Sequence, residues 1–506
     1  MKNKTNSKET FRDLLSQIDD HAIALLTPTG ESLTYGELIF EASTMSNQLS
    51  QHGITRDDRV AILLPNGPSM VISFLATIFT ACAAPLNPKS RAREIDFYLN
   101  DLNASAIITD EATFPSEESE LAKTVDKLFL DGPVGNLNLS TNKRLYGSRY
   151  KAPRLDDAAL VLHTSGTTSL PKLVPLRQGH LVHSAANIAR SLELGPADRS
   201  MNVMPLFHIH GLLAGLLAPL SVGGSVVSTN GFDAFSFFSQ LERFRPSYYT
   251  AVPTMHQMVL SRSKSSQAIA PECGLRFVRS SSASLPVPVL SALTELFQVP
   301  VIEAYGMTEA THQMCSNPLP PAASKPGSVG LPSGIDLCVL GPDATALESH
   351  ERGEIAIRGP NVMAGYENND DANRDAFISG WFRTGDEGYV DSDGYVFLTG
   401  RLKEQINRGG EKISPLEVDS ALLTHPEVQQ AVTFAIPHDK LGEEVGAAVV
   451  LSSEGAVTAT ELREFLAEHL AAFKVPRKIL FLEELPKGPT GKLQRIGLAS
   501  RLGLET

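Results

Sequence analysis

Only four cysteines occur in 506 residues, and Cys82, Cys273, Cys315 and Cys338 stand far apart with no ligand spacing. That scarcity excludes a disulfide scaffold and a thiolate metal cluster, and fits buried thiols in a reducing cytoplasm. Long apolar runs are missing too. The most apolar stretch, 203–227, is broken by Pro205, His208, His210 and Pro219, short of the ~20 uninterrupted apolar residues of a membrane span. Residues 1–12 lack the apolar core of a secretion signal, so no export is expected. Excess positive charge is also absent: 44 Lys and Arg against 57 Asp and Glu leave a net charge of −13. Non-specific binding to nucleic acid or an anionic membrane lacks its driving force. No G-x-G-x-x-G, H-E-x-x-H or C-x-x-C is found, and no Walker loop.

What is present is enough apolar residue, 42% of the chain, for more than one core, since single cores stop growing near ~250–300 residues. Short apolar runs such as Val60–Leu64 and 226–227 alternate with helical patterns at 73–81 and 235–244, the texture of α/β layering with parallel sheet. After about Gly400 the pattern changes to a compact unit, with helices expected at 418–423 and 459–470 and strands at 431–435 and 447–451. The expected division is 1–400 and 401–506, an α/β domain followed by a small α+β one.

The densest chemistry lies at Thr164-Ser165-Gly166-Thr167-Thr168-Ser169-Leu170-Pro171-Lys172. Gly166 permits a backbone that exposes successive N–H groups, Thr164, Ser165, Thr167 and Thr168 offer hydroxyls, and Lys172 adds a cation. The run follows the apolar 158–162, a strand exit, and reads as a phosphate-holding loop; a solvated Ser/Thr loop is the alternative. Leu173 follows Lys172, and a residue with a side chain there predicts a stiffer loop than glycine would give.

Further motifs follow in order: 305–309 (Tyr-Gly-Met-Thr-Glu), 381–386 (Trp-Phe-Arg-Thr-Gly-Asp), 400–404 (Gly-Arg-Leu-Lys-Glu) and 489–495 (Pro-Thr-Gly-Lys-Leu-Gln-Arg). With 33–38 (Leu-Thr-Tyr-Gly-Glu-Leu), they resemble the adenylate-forming superfamily of acyl-CoA synthetases, adenylation domains and luciferases along nearly the whole chain. The resemblance implies a large N-terminal adenylate-forming domain and a small mobile C-terminal lid joined near Lys403. It puts Lys492 between the acyl carboxylate and the α-phosphate, Mg²⁺ on Thr308 and Glu309, and the nucleotide on the 164–172 loop, Ser282, Glu303, Ala304, Tyr305, Gly306 and Thr308. Asp386 and Arg401 would hold the ribose. Taken alone, Tyr305 reads more readily as core filling, Asp386 as a turn residue and Lys492 as a solvated lysine; the surrounding motifs reverse that reading. Gly409 and Gly410 would admit a coenzyme A arm, or form an ordinary tight turn.

The implied cofactors are ATP, Mg²⁺ and coenzyme A, and the implied partner is a small carboxylic acid. The run 303–318 and Phe207-His208-Ile209-His210-Gly211-Leu212 look like the oxalate–CoA ligase family. A second carboxylate needs hydroxyl and imidazole donors, for which His208, Ser281, Ser282 and His312 are candidates; otherwise the serines serve the nucleotide and His312 the core. Other readings stay open: another short, medium-chain or aromatic acid, a carrier-protein acceptor, or an adenylate-binding protein without catalysis.

Overall fold

The computed structural model describes residues 9–114, 125–141, 150–164, 171–263, 270–453, 455–487 and 493–504. Among these, the N-terminal part is built on two largely parallel sheets. In one, the strands run in the order Asn138–Ser140, Asp126–Asp131, Ala106–Thr109, Arg59–Leu63, Cys82–Pro85, Ala158–Thr164, Lys172–Arg177. Its inner strands are parallel and its two outer pairs antiparallel. Val60, Ala61, Ile62 and Leu63 are wholly buried, because helices cover both faces of a parallel sheet and leave no position for a polar residue.

The second sheet runs Leu331–Pro332, His312–Ser316, Val301–Met307, Phe277–Ser281, Tyr248–Ala251, Arg199–Asn202, Ser225–Ser228, Ile23–Leu26, Ser32–Thr34. Its middle is again parallel, and His312–Ser316 returns antiparallel beside Val301–Met307. The helix Tyr35–Gln51 starts here because the Thr34 hydroxyl accepts from Glu37 N–H at 3.2 Å while Glu37 accepts from Thr34 N–H at 2.8 Å. Leu38, Ala42, Met45 and Leu49 recur at helical spacing and are fully buried; burying each large one stabilises by about 1.5–3 kcal/mol. Tyr35 Oη donates to the carbonyls of Leu220 and Gly224 at 3.0 and 2.6 Å, tying the helix to the apolar 203–227 stretch. That stretch is buried interior, including the π-helical turn Gly211–Leu217. Among the described residues no helix is long and apolar enough to cross a membrane.

A five-stranded antiparallel sheet, Asp336–Leu340, Gly353–Arg358, Trp381–Val390, Phe377–Ile378 and Val396–Arg401, leads to the C-terminal domain. There Glu411–Ile413, Ile406–Arg408, Gly442–Leu451, Val428–His438 and Lys478–Phe481 form a separate sheet with the helices Pro415–Leu422 and Ala459–His469. Ile406, Val418, Leu422, Val449, Leu462 and Leu466 make its own core. The chain is thus α/β with a large N-terminal and a small C-terminal domain. Two expectations need correction. Leu173 is not in a loop: it lies in the strand Lys172–Arg177, buried with Leu63, Leu99 and Val161. The helix expected from residue 235 begins at Phe237, and Phe235 is exposed, because Asp233 accepts from the N–H groups of Phe235 and Ser236 in a turn instead.

Candidate active site

The serine run 280–282 and the 306–309 segment emerge side by side at the carboxyl ends of the parallel strands Phe277–Ser281 and Val301–Met307, where open α/β sheets bind their ligands. The backbone there is strained: Ser282, Thr311 and His312 hold φ of +75°, +51° and +89°, each costing on the order of 1–3 kcal/mol. Gly306 is required by packing, since a Cβ there would sit 1.8 Å from His312 O.

One cluster joins Tyr305, Asp386 and Arg401. Asp386 and Arg401 face each other across antiparallel strands, and Arg401 Nε meets Asp386 Oδ1 at 2.9 Å. Tyr305 Oη donates to Asp386 Oδ2 at 2.5 Å. Burial first, and then the Asp386 charge, push the Tyr305 hydroxyl far above its ordinary range, so it stays a donor. Each carboxylate oxygen keeps a lone pair for a ribose hydroxyl. Glu303, on the same strand as Tyr305, is buried and accepts from Gly327 N–H at 3.1 Å; desolvation raises it to about 8. Ala304 lies buried beside it, its carbonyl accepting from Ser281 Oγ at 2.9 Å.

A second cluster joins Glu309 and Lys172 through a residue no motif indicated. Thr308 and Glu309 lie in a 3-10 turn, and Glu309 Oε1 accepts from Tyr366 Oη at 2.9 Å. Lys172 Nζ stands 4.4 Å from the centre of the Tyr366 ring. Thr164 and Lys172 pair across a hairpin. Ser165, Gly166, Thr167 and Thr168 in its connection, like Lys492, lie outside the described residues. Among the described residues no group of three metal-ligating side chains gathers. Glu309 and Thr308 offer one carboxylate and one hydroxyl side by side, a donor pair that suits a cation taking most of its ligands from phosphate and water.

The third cluster centres on Arg279, a wholly buried guanidinium. Its Nη1 reaches His210 Nε2 at 3.3 Å and Thr250 Oγ1 at 3.1 Å, and its Nη2 reaches His312 Nε2 at 3.3 Å and Gln313 Oε1 at 3.0 Å. Burial lowers it to about 10, leaving it charged at neutral pH. His210 and His312 stack with centroids 4.8 Å apart, and His210 Nδ1 is 3.0 Å from Ser282 Oγ. Ser282 and His312 thus share one network. Ser281 is not part of it, its hydroxyl hydrogen going to the Ala304 carbonyl. His208 packs its ring 4.5 Å from that of Phe207.

Lys403 sits in the 3-10 turn Leu402–Glu404 between the two domains. Glu404 meets Arg495 Nε at 3.4 Å, and Arg495 also holds Asp419 at 2.6 Å. Gly409 and Gly410 turn a two-residue hairpin with φ of +62° and +97°, a geometry that needs glycine by itself.

Residues 15–367 match the AMP-binding enzyme family and residues 417–492 the AMP-binding enzyme C-terminal domain. The chain belongs to the AMP-binding enzymes. It is 45% identical over 463 residues, 89% of each chain, to an oxalate–CoA ligase of Arabidopsis thaliana. It is 40% identical to an oxalate–CoA ligase of Saccharomyces cerevisiae, over 96% of this chain and 95% of that one. Among solved structures it resembles an anthranilate CoA ligase in complex with anthranoyl-AMP, with TM-score 0.88 and 27% identity over 98% of both chains. In this AMP-binding enzyme, Tyr366, Arg279 and His210 join these clusters without having been singled out as candidates from the sequence. One signal was available: Arg279 interrupts the otherwise apolar and small run of a buried strand, where a charge needs a reason.

Proposed function

We propose that this AMP-binding enzyme is an ATP- and Mg²⁺-dependent acid–CoA ligase whose preferred acid is oxalate. The observation that carries the acid's identity is the Arg279–His210–Ser282–His312 network, a donor-rich, cationic cluster at the strand ends; that two of the relatives are oxalate–CoA ligases supports the same reading. Tyr305, Asp386 and Arg401 would hold the ribose, with Glu303, Ala304, Gly306 and Ser282 along the nucleotide. Thr164, Ser165, Gly166, Thr167, Thr168 and Lys172 would hold the phosphates. Bound on Glu309 and Thr308, Mg²⁺ would neutralise phosphate charge.

In the first half-reaction a carboxylate oxygen of the acid attacks the α-phosphorus of ATP, the bond to the β-phosphate oxygen breaks, and pyrophosphate leaves. Lys492 offsets the repulsion between the two anions and Lys172 supports the leaving phosphates. In the second, the coenzyme A thiolate attacks the acyl carbonyl, AMP leaves, and the thiol proton goes to water. Lys403 is the hinge between 1–400 and 401–506, and Gly409 and Gly410 lie along the pantetheine path. Coenzyme A rather than a carrier protein is the acceptor. A cytoplasmic site of action suits the four free cysteines.

The test is pyrophosphate release with oxalate, malonate, acetate, hexanoate and a coumarate, each with and without coenzyme A. Oxalate should give the highest kcat/KM and a thioester only with coenzyme A. Silence with every acid would overturn the ligase reading, and preference for an acid without a second charge would overturn oxalate.

A further inference from the structure

Arg279 is a cation in the interior that no described carboxylate balances. Its four hydrogen-bonding partners among the described residues, His210, Thr250, His312 and Gln313, are neutral or able to be so, and its Nε meets no acceptor there. Burying an unpaired charge is costly, and such a group persists where something else compensates it.

The chemistry of the guanidinium decides more than charge. It carries five N–H donors and no acceptor. Nη1 and Nη2 must therefore donate, and His210 Nε2 and His312 Nε2 must accept. Both imidazoles are then neutral with their proton on Nδ1. Thr250 is compatible with this: its oxygen accepts from Nη1 at 3.1 Å, which leaves its own hydrogen available to His210 Nε2 at 2.6 Å. Neutral rings also suit the stacking of His210 on His312, where two imidazolium ions would repel. With its proton on Nδ1, His210 donates to Ser282 Oγ across their 3.0 Å contact and does not consume the hydroxyl hydrogen of Ser282. That hydroxyl, at the strained residue just past the strand end, is set to donate to an anion.

We propose that Arg279 is a positioning residue for the second carboxylate of the acid: through His210 and His312 it sets both tautomers, turns the Ser282 hydroxyl into a donor, and supplies the positive charge that selects a doubly anionic substrate. The part concerning the acid rests on the oxalate reading; the tautomers do not. Removing Arg279 frees Thr250 to accept from His210 Nε2–H, so the proton can move to Nε2 and Ser282 must then donate to Nδ1 instead of to substrate.

Two measurements separate these claims. Two-bond ¹⁵N–¹H spectra of the imidazoles, assigned with His210→Asn and His312→Asn, should show Nδ1–H tautomers in the wild type and a shift towards Nε2–H in Arg279→Met. Kinetically, oxalate is compared with glyoxylate, which replaces one carboxylate by an aldehyde of similar size. Arg279→Met should lower the oxalate-to-glyoxylate ratio of kcat/KM about 10- to 150-fold, the range for a lost hydrogen bond to a charged group, mainly through the KM for oxalate. Arg279→Lys, which keeps the charge without the two-armed fork, should restore part of the ratio but not both tautomers. Nε2–H tautomers in the wild type overturn the assignment whatever the substrate. Equal loss with both acids, or a ratio unmoved by Arg279→Met, overturns the selective role. A wild type that ignores oxalate overturns the dicarboxylate role, while the spectra still decide the tautomers.

Discussion

Tyr366 donates its hydroxyl to Glu309 Oε1 at 2.9 Å while its ring lies under Lys172 Nζ at 4.4 Å. One side chain thus braces the carboxylate suited to Mg²⁺ and the cation suited to phosphate. Burial and the neighbouring Glu309 charge raise the Tyr366 hydroxyl well above its ordinary range, so it does not compete as an anion. Tyr366→Phe should keep the fold and the ring contact yet lose the hydrogen bond, which to a charged group contributes roughly 1.5–3 kcal/mol. Titrating Mg²⁺ at fixed ATP should show a requirement raised at least several-fold; an unchanged Mg²⁺ curve would remove Tyr366 from the site.

Glu303 makes a prediction about pH and stability. Its carboxyl is raised from 4.5 to about 8 by desolvation. Below the lower value folded and unfolded chains both hold the proton. Between the two values only the folded chain does, so stability falls as pH rises, by up to about 1.4 kcal/mol per unit, and above about 8 the loss is complete. Glu303→Gln keeps an acceptor for Gly327 N–H without the titration. Its melting temperature should match wild type near pH 5 and exceed it by a few degrees at pH 8.5; parallel curves for the two proteins would refute the assignment.

Lys403 occupies a 3-10 turn whose preceding residue, Leu402, has helical geometry. Proline at 403 fixes φ and disfavours that geometry at Leu402, while Arg495 continues to tie Glu404 to the C-terminal core. Lys403→Pro should release pyrophosphate with oxalate and ATP but fail to make the thioester, by at least tenfold. Normal coenzyme A turnover would put the hinge elsewhere.

Acid selectivity separates the two neighbouring serines. Ser281 spends its hydrogen on the Ala304 carbonyl, whereas Ser282 and His312 belong to the Arg279 network. Ser282→Ala and His312→Ala should depress the oxalate-to-butyrate ratio of kcat/KM about 10- to 150-fold, and Ser281→Ala much less. If the three variants lose both acids alike, the second-carboxylate site is wrong.

Much of this protein was legible in one dimension. Apolar runs such as 60–64 announced buried parallel strands because hydrophobicity along a run is a local property. The ordered motifs likewise singled out Tyr305, Asp386 and Arg401, which the fold joins in one cluster, and Glu309 and Lys172, which it joins in another through Tyr366. What folding alone decided is which side chains meet. Tyr366 is 57 residues from Glu309 and 194 from Lys172, and no pattern in the chain couples them. Leu173 looked like a loop residue until strand pairing put it in the core. Arg279, His210 and His312 come from separate strands and turns. Only their convergence in a site closed to water makes a donor-only guanidinium decide where two protons sit, because without competing solvent each hydrogen-bonding atom must be satisfied by its neighbours.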